Sequence, residues 1–141
     1  MPTSRKVLCA VYGVIAAVAL VACWSQTVAY VHSPTDFFVN FWRDAKITPA
    51  SRNITADALM LGIAVVILMV IEARKHEVRF VWAYIAACYF VAISVAFPLF
   101  LIARELRMGA AEPPRLHAPD TVLLTLMAVA FGALTIWIDV P

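Results

Sequence analysis

Four long apolar runs, joined by short polar links, leave this chain few folds to choose from. They cover about Val7–Val31, Ile54–Ile71, Phe80–Arg104 and Thr121–Ile138. Roughly twenty apolar residues in a helix cross the hydrocarbon core of a bilayer. In that solvent the backbone must pair its own N–H and C=O groups, so each run is predicted to be a helix. Only 14% of the residues are charged, too few to coat a soluble domain. The predicted fold is all-α: one membrane domain over residues 1–141, an antiparallel bundle of four transmembrane helices with a short interfacial amphipathic helix between the first two.

The first run follows Arg5-Lys6 and is too long for the apolar core of a signal peptide, so it is expected to stay as an anchor helix. Gly13 with Ala17, Ala19 with Cys23, Ala58 with Gly62 and Ala128 with Gly132 are small residues four apart, spacings that let helices approach closely. In Ser33-Pro34-Thr35-Asp36 the serine can cap a helix and the proline can occupy its first position. Phe37, Phe38, Phe41 and Trp42 then share one face against Asp36, Asn40, Arg43 and Asp44, which predicts an interfacial helix over 34–45. Those four aromatics are the candidate partner surface, together with Pro98; a lid over a pocket is the alternative use. Thr48-Pro49 restarts the chain before the second run. Pro98 frees the carbonyl of Ser94, so a kink is expected there. Glu112-Pro113-Pro114-Arg115 and Ala118-Pro119 read as a stiff link, with Asp120 capping the last helix.

Four crossings put both termini on one face. With that face inside, Arg5, Lys6, Arg74, Lys75 and Arg79 oppose Arg43, Lys46, Arg52, Arg104, Arg107 and Arg115. The inner charges are the more concentrated, which favours cytoplasmic termini in a multi-pass protein of a bacterial plasma (inner) membrane.

Under that topology Asp57, Arg104 and Glu105 meet at one end of the bundle. An Asp57–Arg104 ion pair is the plain expectation, because ionisable groups inside a span are costly without a partner. The other reading is a polar pocket in which Asp57 and Glu105 divide acid and base roles toward a lipid-like substrate. Glu72 and His76, four apart, could suggest a metal, but one such pair at a helix end reads better as a solvated turn. Cys9, Cys23 and Cys88 form no CxxC and read as packing residues. No metal set and no cofactor are expected, and no basic patch with interleaved aromatics suggests nucleic acid.

Asp57, Glu72 before a basic cluster, Trp82, and then Phe97-Pro98-Leu99-Phe100-Leu101-Ile102-Ala103-Arg104-Glu105 form an ordered progression. It resembles the bacterial family called domain of unknown function 2834, over about Phe37–Glu105. Phe97 stands where that family usually has leucine, and Ile102 where tyrosine is common. The resemblance implies a small multi-span membrane protein and no particular activity. The string is also loosely similar to membrane-bound terpene cyclases, which have more spans.

The sequence offers two acids and an arginine, with no nucleophile–base pair and no phosphate loop. The expected role is therefore an accessory or structural subunit of a larger membrane assembly, a lipid transport complex being one form. The partners are that assembly and membrane lipids. A small enzyme or binding protein for isoprenoids or other lipids, using Asp57 and Glu105, is the alternative. A stand-alone transporter is the third.

Overall fold

The computed structural model describes residues 2–109 and 116–140, and no strand occurs among them. Four segments are long and apolar enough to cross a membrane: Thr3–Tyr30, Pro49–Lys75, Val81–Arg107 and Ala118–Asp139. The chain is an all-α helical bundle. The 110–115 part of the expected stiff link lies outside the described residues, whereas Pro119 falls in the first turn of the last helix.

Helix α1 (Thr3–Thr27) ends in a tighter 3-10 turn, Val28–Tyr30. The interfacial segment follows much as the sequence predicts. Ser33 Oγ accepts the Asp36 N–H at 3.1 Å. A widened turn, Asp36–Asn40, then leads into α2 (Phe41–Asp44). Helix α3 (Pro49–Lys75) starts well before Ile54. Thr48 Oγ1 accepts from the Ser51 N–H at 3.0 Å while Ser51 Oγ accepts from the Thr48 N–H at 3.1 Å, and Pro49 takes the first helical position. This reciprocal cap satisfies two otherwise orphaned donors. Ser51-Arg52-Asn53, polar enough to look like a link, is therefore the first turn of the helix.

The third apolar segment doubles back on itself. Helix α4 (Val81–Ala87) and a widened turn, Cys88–Ala92, lead to a single extended residue, Ala92 (φ −176°, ψ 142°), after which α5 (Ile93–Arg107) returns. Tyr84 of α4 meets Phe100 of α5 edge to face, ring centroids 5.8 Å apart. The 15 residues of α5 reach about 22 Å, short of a hydrocarbon core about 30 Å thick. The pair is thus a helical hairpin whose two outer ends, Val81 and Arg107, lie at the same end of the bundle. The break falls at Ala92 and not at Pro98, which sits within α5. A broken helix in an apolar setting must satisfy its freed carbonyls from elsewhere in the protein. Trp24 Nε1 of α1 does so, donating to the Val91 carbonyl at 3.1 Å.

The core lies where the hairpin packs on α3: Met69 and Ala73 against Val81, Ile85, Cys88, Ala96 and Phe100. Between helices surrounded by lipid the gain is close packing and dispersion, since lipid tails are as apolar as leucine. Gly62 shows this directly. A Cβ there would meet Ile93 Cδ1 at 3.7 Å and the Tyr89 hydroxyl at 3.8 Å, so the small residue brings the hairpin tip against α3. Helix α1 runs antiparallel along α5 and buries Ala16. The small pairs at Gly13/Ala17 and Ala128/Gly132 behave differently: a Cβ on Gly13 or Gly132 would meet nothing within 4 Å.

Helix α6 (Ala118–Asp139) has no buried residue. Its C-terminal end rests beside α1, where the Gln26 amide donates to the Asp139 carbonyl at 3.5 Å. Asp139 therefore lies by the far end of α1, away from Arg5. The sequence expectation put both chain ends on one face of the bundle; in the structure Arg5 and Asp139 stand at its two ends.

Candidate functional site

At the end of the bundle where α1 begins and α3 and α5 finish, four charged side chains form one connected network. Arg5 is 1% exposed and Glu105 4%. Arg5 Nη1 stands 3.6 Å from Glu105 Oε2 and donates to the Glu105 backbone carbonyl at 3.2 Å. That carbonyl belongs to the last turn of α5, where helix carbonyls lack intrahelical donors and carry partial negative charge. One guanidinium therefore caps the helix and neutralises its acid.

The other oxygen of Glu105 accepts from Arg104 Nη1 at 3.2 Å, and Arg104 Nε donates to Glu72 Oε2 on α3. His76 Nε2 lies 3.4 Å from the same Glu72 oxygen, and Lys75 Nζ 4.0 Å from the other. The network ties α1 to α5 and α5 to α3. Two carboxylates face two guanidiniums, so the buried charge is balanced. Arg5 Nε and Glu105 Oε2 are buried without a hydrogen-bond partner among the described residues. Both carboxylates are engaged by guanidiniums, an arrangement that clamps three helices together.

The sequence expectation for this site is corrected in one respect. Glu105 and Arg104 belong to it, but Asp57 does not. Glu72, which pairs with Arg104, lies about 22 Å along α3 from Asp57, at 1.5 Å per residue. The hairpin brings the end of α5 back to the side on which it entered, whereas the beginning of α3 is on the other side. Asp57 is exposed and makes no side-chain hydrogen bond or ion pair among the described residues. Its division of acid and base roles with Glu105 falls with the same geometry. The place expected for Asp57 is taken by Glu72, whose side chain is only 15% exposed and so is not part of a solvated turn.

Sequence reasoning read Arg5 as a flanking charge, Glu72 as part of a turn and Trp24 as an aromatic at the end of the first helix, and did not bring them to these contacts. One signal could have found them. Basic residues flank the third apolar run on both sides, Arg74, Lys75 and Arg79 before it and Arg104 and Arg107 after it. A complete crossing between two such clusters is disfavoured, because one of them would have to lie on the side poor in positive charge.

The candidate partner residues lie at the opposite end. Phe37 stacks on Phe41 with centroids 6.5 Å apart, Tyr30 meets Phe41 at 5.5 Å, and Trp42 meets Phe41 at 5.7 Å. Tyr30 also donates its hydroxyl proton to Asp44 Oδ2 at 2.9 Å, fixing α2 to the end of α1. Phe38 and Trp42 are exposed, while Phe37 and Phe41 are half-buried in the cluster. Pro98 is buried within the bundle, not presented as a partner surface. Among the described residues, no three His, Cys, Asp or Glu side chains lie close enough together to hold a metal ion.

Neither the curated proteins nor the solved structures searched give a match to this chain. A family model described as "Protein of unknown function DUF2834" matches residues 11–106. The matched region begins in α1, earlier than Phe37, and takes in Trp24, Glu72, the hairpin up to Leu106, Arg104 and Glu105. With well over half of its length covered, and with the hairpin and most of the ion network inside the match, this chain belongs to the DUF2834 family.

Proposed function

We propose that this protein is an accessory or structural subunit that acts by docking on a larger assembly in a bacterial plasma (inner) membrane. The observation that carries the reading is the pair of open small-residue seams, at Gly13 on α1 and Gly132 on α6. Such seams are built for close helix contact, and no helix among the described residues occupies them. The ionisable groups support the same reading. Glu72, Arg104, Glu105 and Arg5 are engaged with one another, in an arrangement suited to holding helices together.

The distribution of positive charge supports an orientation. Arg5, Lys6, Arg74, Lys75, Arg79, Arg104 and Arg107 gather at the end where α1 begins, against Arg43, Lys46 and Arg52 at the other. Among the described residues, seven against three favours a cytoplasmic start of α1 and an outward end of α6.

Affinity purification in mild detergent tests the docking reading. A larger membrane protein is expected in stoichiometric yield, and Gly13→Leu with Gly132→Leu is expected to reduce its recovery. A monodisperse 15.5 kDa species with no partner would sink the proposal.

A further inference from the structure

Where α3 gives way to the hairpin, an open cavity of about 550 Å³ is walled by Arg74, Arg79 and Arg107, with Glu77, Phe80 and Trp82 beside them. Three guanidiniums against one carboxylate leave it positive. Unlike Arg5 and Arg104, these three arginines have no ion-pair partner among the described residues. Phe80 is 80% exposed and Trp82 62%, the placement of aromatic anchors at a membrane surface. Phe80 also holds a left-handed backbone (φ 59°), as does Glu77 (φ 53°), so the link that carries Arg79 turns sharply across the mouth of the cavity.

A second groove, of about 450 Å³, shares Arg79 and Phe80 and continues between α4 and α5. Ala83, Tyr84, Ala87, Ala96 and Leu99 line it. A basic cavity opening into an apolar groove at the end of the helices is complementary to one kind of molecule, an amphiphile with an anionic head and a hydrocarbon tail.

We propose that the hairpin binds one anionic phospholipid. Its phosphate sits among Arg74, Arg79 and Arg107, and one acyl chain lies in the α4–α5 groove. Guanidinium groups suit this role because they meet phosphate oxygens in a bidentate fork. A free phosphate would account for the arginines but not for the groove that adjoins them. The site is separate from the α1 and α6 seams, so it does not depend on the docking reading, and its readout is bound lipid and not recovered protein.

The test uses the full chain, purified in mild detergent and exposed to phosphatidylglycerol or phosphatidylcholine, with bound lipid read by native mass spectrometry. The wild type is expected to retain phosphatidylglycerol with a preference on the order of tenfold. Arg79→Gln with Arg107→Gln is expected to remove that preference. Arg43→Gln with Arg52→Gln, at the other end of the bundle, is expected to leave it unchanged. Ala83→Trp, which fills the groove with the arginines intact, is expected to lower retention of phosphatidylglycerol. Inorganic phosphate in millimolar excess is expected not to displace the lipid. Equal retention of the two lipids by the wild type overturns the proposal, as does full retention by the double arginine variant. Displacement by inorganic phosphate also overturns it, in favour of a soluble anion. The arginines are exposed, so the double variant is expected to fold; should it aggregate, Ala83→Trp decides the question.

Discussion

Arg5 and Glu105, a hundred residues apart, form an ion pair at 3.6 Å in which both side chains are almost wholly buried. It joins the first turn of α1 to the last turn of α5, so the start of the chain locks the returning arm of the hairpin. A buried pair of this kind adds little net stability over a well-packed apolar substitute, but losing one partner strands a charge.

Glu105→Gln is therefore expected to destabilise the protein by about 3–5 kcal/mol, with Arg5→Met similar. Replacing both with methionine is expected to cost less than either change alone. Unfolding in detergent measures all three. A Glu105→Gln protein as stable as the wild type would show that the network holds nothing together.

Trp24→Phe keeps the ring packing but removes the N–H that satisfies Val91. A carbonyl left unpaired away from water costs about 1–3 kcal/mol. The loss is expected to be local: faster amide exchange over 88–94, with the middle of α3 unaffected. Uniform protection in wild type and variant would mean that the tip of the hairpin is held by something else.

The acids of α3 are expected to separate cleanly in double-mutant cycles. Glu72→Gln and Arg104→Gln contact one another, so a coupling of about 0.5–3 kcal/mol is expected. Asp57→Asn and Arg104→Gln, far apart, are expected to add within about 0.5 kcal/mol. A strong Asp57–Arg104 coupling would contradict the fold of the hairpin.

Topology can be read with single cysteines in a background lacking Cys9, Cys23 and Cys88. Lys6→Cys, Lys75→Cys and Arg107→Cys are expected to react with an impermeant thiol reagent from one side of the membrane. Lys46→Cys and Val140→Cys are expected to react from the other. Labelling of Arg107→Cys together with Lys46→Cys would mean that Val81–Arg107 crosses completely.

The helical class and the apolar segments were legible because the bilayer leaves the backbone so few choices. The interfacial helix was legible because Ser33, Pro34 and the aromatic face all agree. The start of α3 was hidden by Ser51-Arg52-Asn53, whose polarity outweighed the Thr48-Pro49 cap signal. The hairpin was hidden for a different reason. Phe80–Arg104 is long enough to cross, and Ala92, where the break falls, has no intrinsic preference for one. Packing at Gly62 and the hydrogen bond from Trp24 select that position, and neither follows from local sequence. Once the third run was taken to continue straight, Asp57 came to the wrong end, and Glu72 was left in a turn that begins only at His76. The family membership survives this correction, because it depends on the order of residues along the chain and not on which of them meet.

The hairpin also bears on what has to be transported as the protein is made. Arg104 and Arg107 sit at the same end of the bundle as Val81, so under the proposed orientation neither guanidinium is carried through the hydrocarbon. With that orientation the link joining α1 to α3 and the distal tip of α6 are the segments translocated, and Arg43, Lys46 and Arg52 are the cationic cargo of that step.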